Sequence, residues 1–202
     1  MVLPHYMRDP TEIIARRKAW IERKWGQIQE AIKNSSEVED FMIFGEKYTI
    51  ENTDVETPTI DHLQKKIILN PKNLKHRTRI KEQLKKLLRE KLKEIIAEYS
   101  IETSFKPNKI IIRRQKTKWG SCSKDGNISL NLKLVCLPEE KIKYIVHHEV
   151  THLKYRKHNN TFWQTISQKY PNYKQIEREL FEQWFVTEKL FQNLLKTRCA
   201  SF

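Results

Sequence analysis

The chain has 202 residues, 38% of them hydrophobic, enough to bury a core as one domain or as one core with an appendage. Its apolar runs stop at about four residues against the roughly 20 that span a bilayer, and His5, Arg8 and Asp9 interrupt any apolar leader, so neither a membrane span nor a secretory signal is expected. Three cysteines (Cys122, Cys136 and Cys199) without C-x-x-C spacing argue against a disulfide framework and for a reducing cytoplasm, while a net charge of +14 leaves polyanions as candidate partners.

Asp9-Pro10-Thr11-Glu12 reads as a helix start, with a capping side chain, Pro in the first turn and Glu three residues after the cap. Ile14, Ile21, Trp25, Ile28 and Ile32 form the apolar side of that helix. Residues 41–50 read as strand with a bend at Gly45, and residues 62–69 as a second short strand ending before Asn70-Pro71. Residues 65–93 then hold twelve Lys or Arg against Glu82 and Glu90 alone. Much of this stretch lies on a helix whose apolar stripe is Ile80, Leu84, Leu87, Leu88, Leu92, Ile95, Ile96 and Tyr99. The simpler reading of the charge is a solvated face opposite a core stripe. The alternative is weak, salt-sensitive binding of nucleic acid or another polyanion, although no nucleic-acid motif or aromatic stacking series accompanies it.

Farther along, residues 109–114 form a β-branched strand, Asp125-Gly126 a turn, and residues 128–134 a returning strand with Ile128, Leu130, Leu132 and Leu134 alternating. With four Gly, seven Pro, no internal repeat and no low-complexity linker, the chain reads as continuously structured.

His148-Glu149-Val150-Thr151-His152 carries the chemistry. Ile142, Ile145, Val146, Val150 and Leu153 make a helical stripe, and at about 3.6 residues per turn both histidines fall on one flank of it, one turn apart. Two imidazoles so placed grip one metal ion, with Glu149 beside whatever water the metal holds. His158 follows six residues later, where a continued helix would turn it about 120° away from His152. It joins the site only if the helix ends near residues 155–157 and the chain folds back. Asn159-Asn160 supports that break, because Asn tolerates turns and caps helices. His158 is the favoured third ligand, with Glu177, Glu179 or Glu182 from a later helix as alternatives. The metzincin pattern shares the six-residue spacing but needs Gly three residues after the second His, where this chain has Tyr155. Cys122 is not needed as a ligand, His147 points away from the site, and His5, His62 and His76 lack ligand spacing.

The segment Lys116-Thr117-Lys118-Trp119-Gly120-Ser121-Cys122 admits two compatible readings. Trp119 fills a core and Gly120 makes a bend. Alternatively, Lys118, Trp119, Gly120 and Ser121 wall a cleft whose backbone pairs an extended peptide.

Residues 113–185 resemble the YgjP-like metallopeptidase family, relatives of the SprT-type zinc proteins. The resemblance rests on residues 114–123 (RQKTKWGSCS), 127–132 (NISLNL) and 148–153 (HEVTHL), on Lys157-His158-Asn159 with Phe162-Trp163, and on Pro171-Asn172-Tyr173. Residues 9–24 are similar to the family's upstream helix and residues 41–50 to its central strand pair. Family members carry further strands before that helix, which are expected here to be missing or displaced. The resemblance implies a third metal ligand at His158 and an α+β fold. Its zincin-like core would pack the H-E-x-x-H helix on a small, mostly antiparallel sheet, preceded by an N-terminal helix and strand region. The division expected is 1–74 for that region, as part of the same fold or as an appendage, and 75–202 for the core.

The function expected is that of a zinc-dependent metallopeptidase with one Zn2+ per chain. His148, His152 and His158 would hold the metal, Glu149 would act as general base on a metal-activated water, and the substrate would be a peptide or protein. Tyr170 and Tyr173 are weak candidates for oxyanion stabilisation. Two rivals use the same water: a nucleoside triphosphate phosphohydrolase with Arg113, Arg114, Lys116 or Lys118 on the phosphates, and a DNA-associated SprT-like protease guided by residues 65–93. A non-catalytic zinc-stabilised module would leave Glu149 without a role.

Overall fold

The computed structural model describes residues 10–35, 40–103 and 106–195. Among the described residues, five α-helices and seven short strands form an α+β fold with two small sheets. The first helix, α1 (Pro10–Ser35), starts at the expected proline, while its expected cap, Asp9, lies outside the described residues. Its apolar stripe is not its buried face. Ala31 and Ser35 are buried and Ile28 is half-buried, whereas Ile14, Ile21, Trp25 and Ile32 stay exposed. Helix α1 runs beside the last helix, α5 (Tyr173–Leu195), using a face about a quarter turn away from the stripe. Lys189 of α5 donates to the Ser35 carbonyl at 3.0 Å, and Lys24 lies over the Phe181 ring.

Residues 41–50 fold as a hairpin rather than one bent strand. β1 (Phe41–Ile43) and β2 (Glu46–Asn52) pair antiparallel through a two-residue turn, Phe44 at φ 51° and Gly45 at φ 85°. Two successive positive φ values match the twist of the flanking strands. The strand expected over 62–69 is confined to its second half, residues 62–65 being a turn. β3 (Thr59–Asp61) and β4 (Lys66–Leu69) flank a turn in which Asp61 Oδ1 accepts from the backbone of Leu63 and Gln64, a local bond that breaks the strand. The sheet order is β1-β2-β4-β3, with β2 and β4 parallel.

Helix α2 (Leu74–Thr103) buries the whole predicted stripe except Leu87, which is half-buried. The second sheet comprises β5 (Lys109–Arg113), β6 (Gly120–Cys122) and β7 (Asn127–Asn131) in the order β5-β7-β6. Both sheets are mixed: β2–β4 and β5–β7 are parallel and the other three pairings antiparallel, so that in this sheet β6 runs antiparallel to β7 and β5 parallel to it. The reason is local. The Asp125-Gly126 turn closes a hairpin between β6 and β7, which leaves β5 the other edge of β7.

The alternation through Leu134 overshoots the strand. β7 ends at Asn131, and residues Leu132–Cys136 form a 3₁₀ turn whose first free N–H, on Lys133, is taken by the Asn131 side chain. Leu132 and Leu134 are buried as expected, but in that turn. Helices α3 (Glu139–Thr151) and α4 (Asn160–Lys169) complete the fold. One core cluster joins residues of β1, β2 and β4 to α2, β7, the 3₁₀ turn and helices α3 to α5.

Candidate metal centre

Helix α3 begins with Glu139 and Glu140, carboxylates that suit the positive end of its dipole. Ile142, Ile145, Val146 and Val150 bury its stripe, each worth roughly 1.5–3 kcal/mol relative to exposure, and this fixes which flank is left for the histidines. The helix stops at Thr151, earlier than the expected 155–157, and His152 is its cap. The backbone N–H groups of Leu153, Lys154 and Tyr155 fold back onto Val150 and Thr151. At the far end of the connection, Asn159 Oδ1 accepts from Phe162 N at 2.9 Å and starts α4. Between these two ends the chain reverses and brings His158 home.

One donor atom from each of His148, His152 and His158 lies within 4.8 Å of the others, and Nε2 of His148 is 2.9 Å from Nε2 of His158. His152 Nδ1 lies 2.9 Å from the Tyr155 carbonyl. A carbonyl only accepts, so Nδ1 carries the proton and Nε2 is left with its lone pair. Phe162 packs against all three imidazoles, lying parallel to His152 at 4.6 Å, and Trp163 stacks on His158 at 5.4 Å. Tyr173 stacks in turn on Trp163.

Burial pushes the pKa of His148 down to about 3, with His152 and His158 adding to the effect, and burial lowers His152 and His158 as well. All three are therefore neutral at pH 7, the form that coordinates a metal.

Glu149 is 6% exposed, and burial raises its pKa to about 7 against an opposing pull from Lys118. Its Oε2 is buried without a hydrogen-bond partner among the described residues. Gly120 is why the carboxylate fits: a Cβ there would stand 2.7 Å from Glu149 Cγ and Oε1. The demand on Gly120 is thus space rather than the expected bend, since its φ is not positive.

Trp119 fills a core position, meeting Trp184 edge-on at 5.0 Å and donating from Nε1 to the Leu180 carbonyl. Asn131 braces the segment from below. Its Nδ2 donates to the carbonyls of Gln115 and Lys118, and its backbone N to the carbonyl of Trp119. Ser121 Oγ accepts from Gln115, and β6 forms an edge of its sheet against α3.

The alternative ligands stay apart. Glu177 accepts from the Tyr144 hydroxyl, Glu179 pairs with Lys141, and Glu182 is exposed. Cys122 belongs to no ligand group among the described residues, and burial pushes its thiol pKa up. His147 points away as expected and sits buried against the rings of Tyr99 and Tyr170. His62 meets the Tyr48 hydroxyl and His76 the Asn70 backbone, while His5 lies outside the described residues. Tyr170 bonds Tyr99 through its hydroxyl and Tyr173 stacks on Trp163, so neither ring is assigned to an oxyanion.

Reasoning from residue spacing passed over the support around these groups, namely the aromatic wall of Phe162 and Trp163, the Asn131 brace and Arg156. A turn-forming Asn before an aromatic pair was the one available signal. Three converging neutral imidazoles, one with its tautomer set, and an orphaned carboxylate oxygen beside them fit a divalent metal of the zinc type.

No curated protein matches the chain. Among solved structures it is similar to that of the metallopeptidase zymogen of Pyrococcus abyssi abylysin, at 26% identity and a TM-score of 0.42, over 45% of this chain and 92% of that one. The family model described as YgjP-like, metallopeptidase domain, matches residues 3–183, and the chain accordingly belongs to the YgjP-like metallopeptidase family.

Proposed function

We propose that the protein hydrolyses peptide bonds as a zinc metallopeptidase, with one ion held by His148, His152 and His158 and Glu149 as general base. The observation that carries this reading is the convergence of the three imidazoles beside a buried carboxylate oxygen with no other task. Zinc bound there would polarise the scissile carbonyl and lower the pKa of a water towards roughly 7. Glu149 Oε2 takes the proton of the attacking water and returns it to the leaving amine. In the metal-free protein burial raises this carboxyl above its ordinary value, which makes it a better proton acceptor than a solvated carboxylate. Gly120 gives it room.

The free edge of β6 offers backbone groups to an extended substrate, so that Lys118, Trp119, Gly120 and Ser121 wall the cleft. The phosphohydrolase alternative is weaker. Family membership favours peptide chemistry, and Arg114 is engaged with Glu188 at 3.4 Å. The Lys- and Arg-rich surface of α2 supports at most an accessory polyanion contact. No helix among the described residues is long and apolar enough to cross a membrane, and the free thiols of Cys122 and Cys136 suit a reducing compartment such as the cytoplasm.

Metal analysis of the purified chain tests the site. About one zinc per chain is expected, and it should be lost in both His148→Ala and His152→Ala. Full metal content in those two variants would remove the assignment. With His158→Ala unchanged in affinity, the third position would pass to another group.

A further inference from the structure

We infer that Arg156 is the positioning residue for His158, clamping the loop that carries this imidazole to the β6–β7 turn; the inference rests on the metal-site reading above. Residues 152–159 connect α3 to α4, and residues 156–160 are all exposed. The histidines at 148 and 152 are placed by the packed helix, whereas His158 is placed by the loop. Backbone bonds from Leu153, Lys154 and Tyr155 to Val150 and Thr151 shape the loop at one end, and Asn159 N to Lys157 O at the other.

In its middle, Tyr155 packs against the core and Arg156 reaches across to the β6–β7 turn. Arg156 Nη1 donates to the Ser123 carbonyl at 2.5 Å and Nη2 to the Lys124 carbonyl at 2.8 Å, with Cys122 Sγ 3.9 Å from Nη1. The anchor is rigid. Ser123 N bonds Asn127 O, Gly126 N bonds Ser123 O, Ser123 Oγ accepts from Asn127 N, and Asn108 N bonds Gly126 O. A Cβ on Gly126 would sit 3.5 Å from Leu153, so turn and loop also lie close at a second point. Two adjacent carbonyls held in fixed relation match the planar fork of a guanidinium, and a lysine has no second branch to reach both. The clamp thus joins the third imidazole to the end of the strand beside Glu149.

The test measures zinc affinity by competition with a chromophoric chelator for the parent, Arg156→Ala, Arg156→Lys, His158→Ala and the double variant Arg156→Ala/His158→Ala, each with its melting temperature. Loss of the clamp should weaken zinc binding about 10- to 100-fold, the usual effect of removing a group that orients a ligand. Arg156→Lys should recover little of it. If Arg156 acts only through His158, the double variant should bind zinc no more weakly than His158→Ala alone. A parent-like affinity in Arg156→Ala or Arg156→Lys overturns the inference, and so do losses that simply add in the double variant, the pattern of a general structural role. A parent chain that binds no zinc would instead overturn the metal-site reading and this inference with it.

Discussion

Helices α1 and α3 both announce themselves in sequence by an apolar stripe, yet only the stripe of α3 is covered. Ile142, Val146 and Val150 are at most 1% exposed, while Ile21 and Trp25 of α1 are 42% and 62% exposed. The neighbours make the difference. Helix α3 lies among α2, α4 and β6, whereas α1 packs on α5 through a face that includes Ala31 and Ser35. Periodicity shows that a helix has an apolar side; what covers that side is decided by elements far away in sequence. The candidate metal site sits on the helix whose position is over-determined, as a site that must hold its geometry closely requires.

The largest expected effect is on α3. Glu149→Gln keeps the shape and removes the basicity, so peptidase activity should fall about 10²- to 10⁴-fold. Zinc content and melting temperature should hardly move, and a variant as active as the parent would refute the role given to the carboxylate. Next comes Gly120→Ala, which would put a Cβ 2.7 Å from Glu149. Displacing the carboxylate by about 1 Å should cost about 10²-fold in rate. Overpacking should cost a further 1–3 kcal/mol in stability, roughly, readable in a urea titration; parent-like kinetics would show that Glu149 tolerates the intrusion.

The comparison of the helices is tested directly by truncating one isoleucine on each. Ile142→Ala should destabilise by about 2–5 kcal/mol, and Ile21→Ala by no more than about 0.5 kcal/mol. A large loss at Ile21, measured by denaturant unfolding, would mean that the α1 stripe is covered in solution. The smallest effect concerns α2. Binding to duplex DNA should be weak and should fall with salt, a dependence that flattens when Lys81, Lys85 and Lys86 become Gln; no binding at low ionic strength leaves these residues as a solvated face.

Legibility followed the range of the interactions. The stripe of α2 was readable almost residue by residue because a 30-residue helix with a regular apolar face has one way to lie on a core. The sequence marks Phe44-Gly45 only as a bend and carries the strand 62–69 through the turn at 62–65, because a short turn is set by a few backbone angles and one side-chain bond. The alternation from Ile128 to Leu134 was misread for another reason. Burial of every second residue is the same in a strand and in a 3₁₀ turn that follows it, and only the Asn131 cap separates them.

For the candidate site, the sequence alone determined that His148 and His152 lie one turn apart with Glu149 beside them, since helical spacing is local and the apolar stripe orients it. It also marked a chain reversal before His158 through Asn159. Tertiary structure decided the rest. It placed His158 Nε2 2.9 Å from His148, set Glu149 over the space left by Gly120, and brought Phe162, Asn131 and Arg156 around them. Those placements depend on contacts between elements distant along the chain, whose geometry no residue spacing encodes.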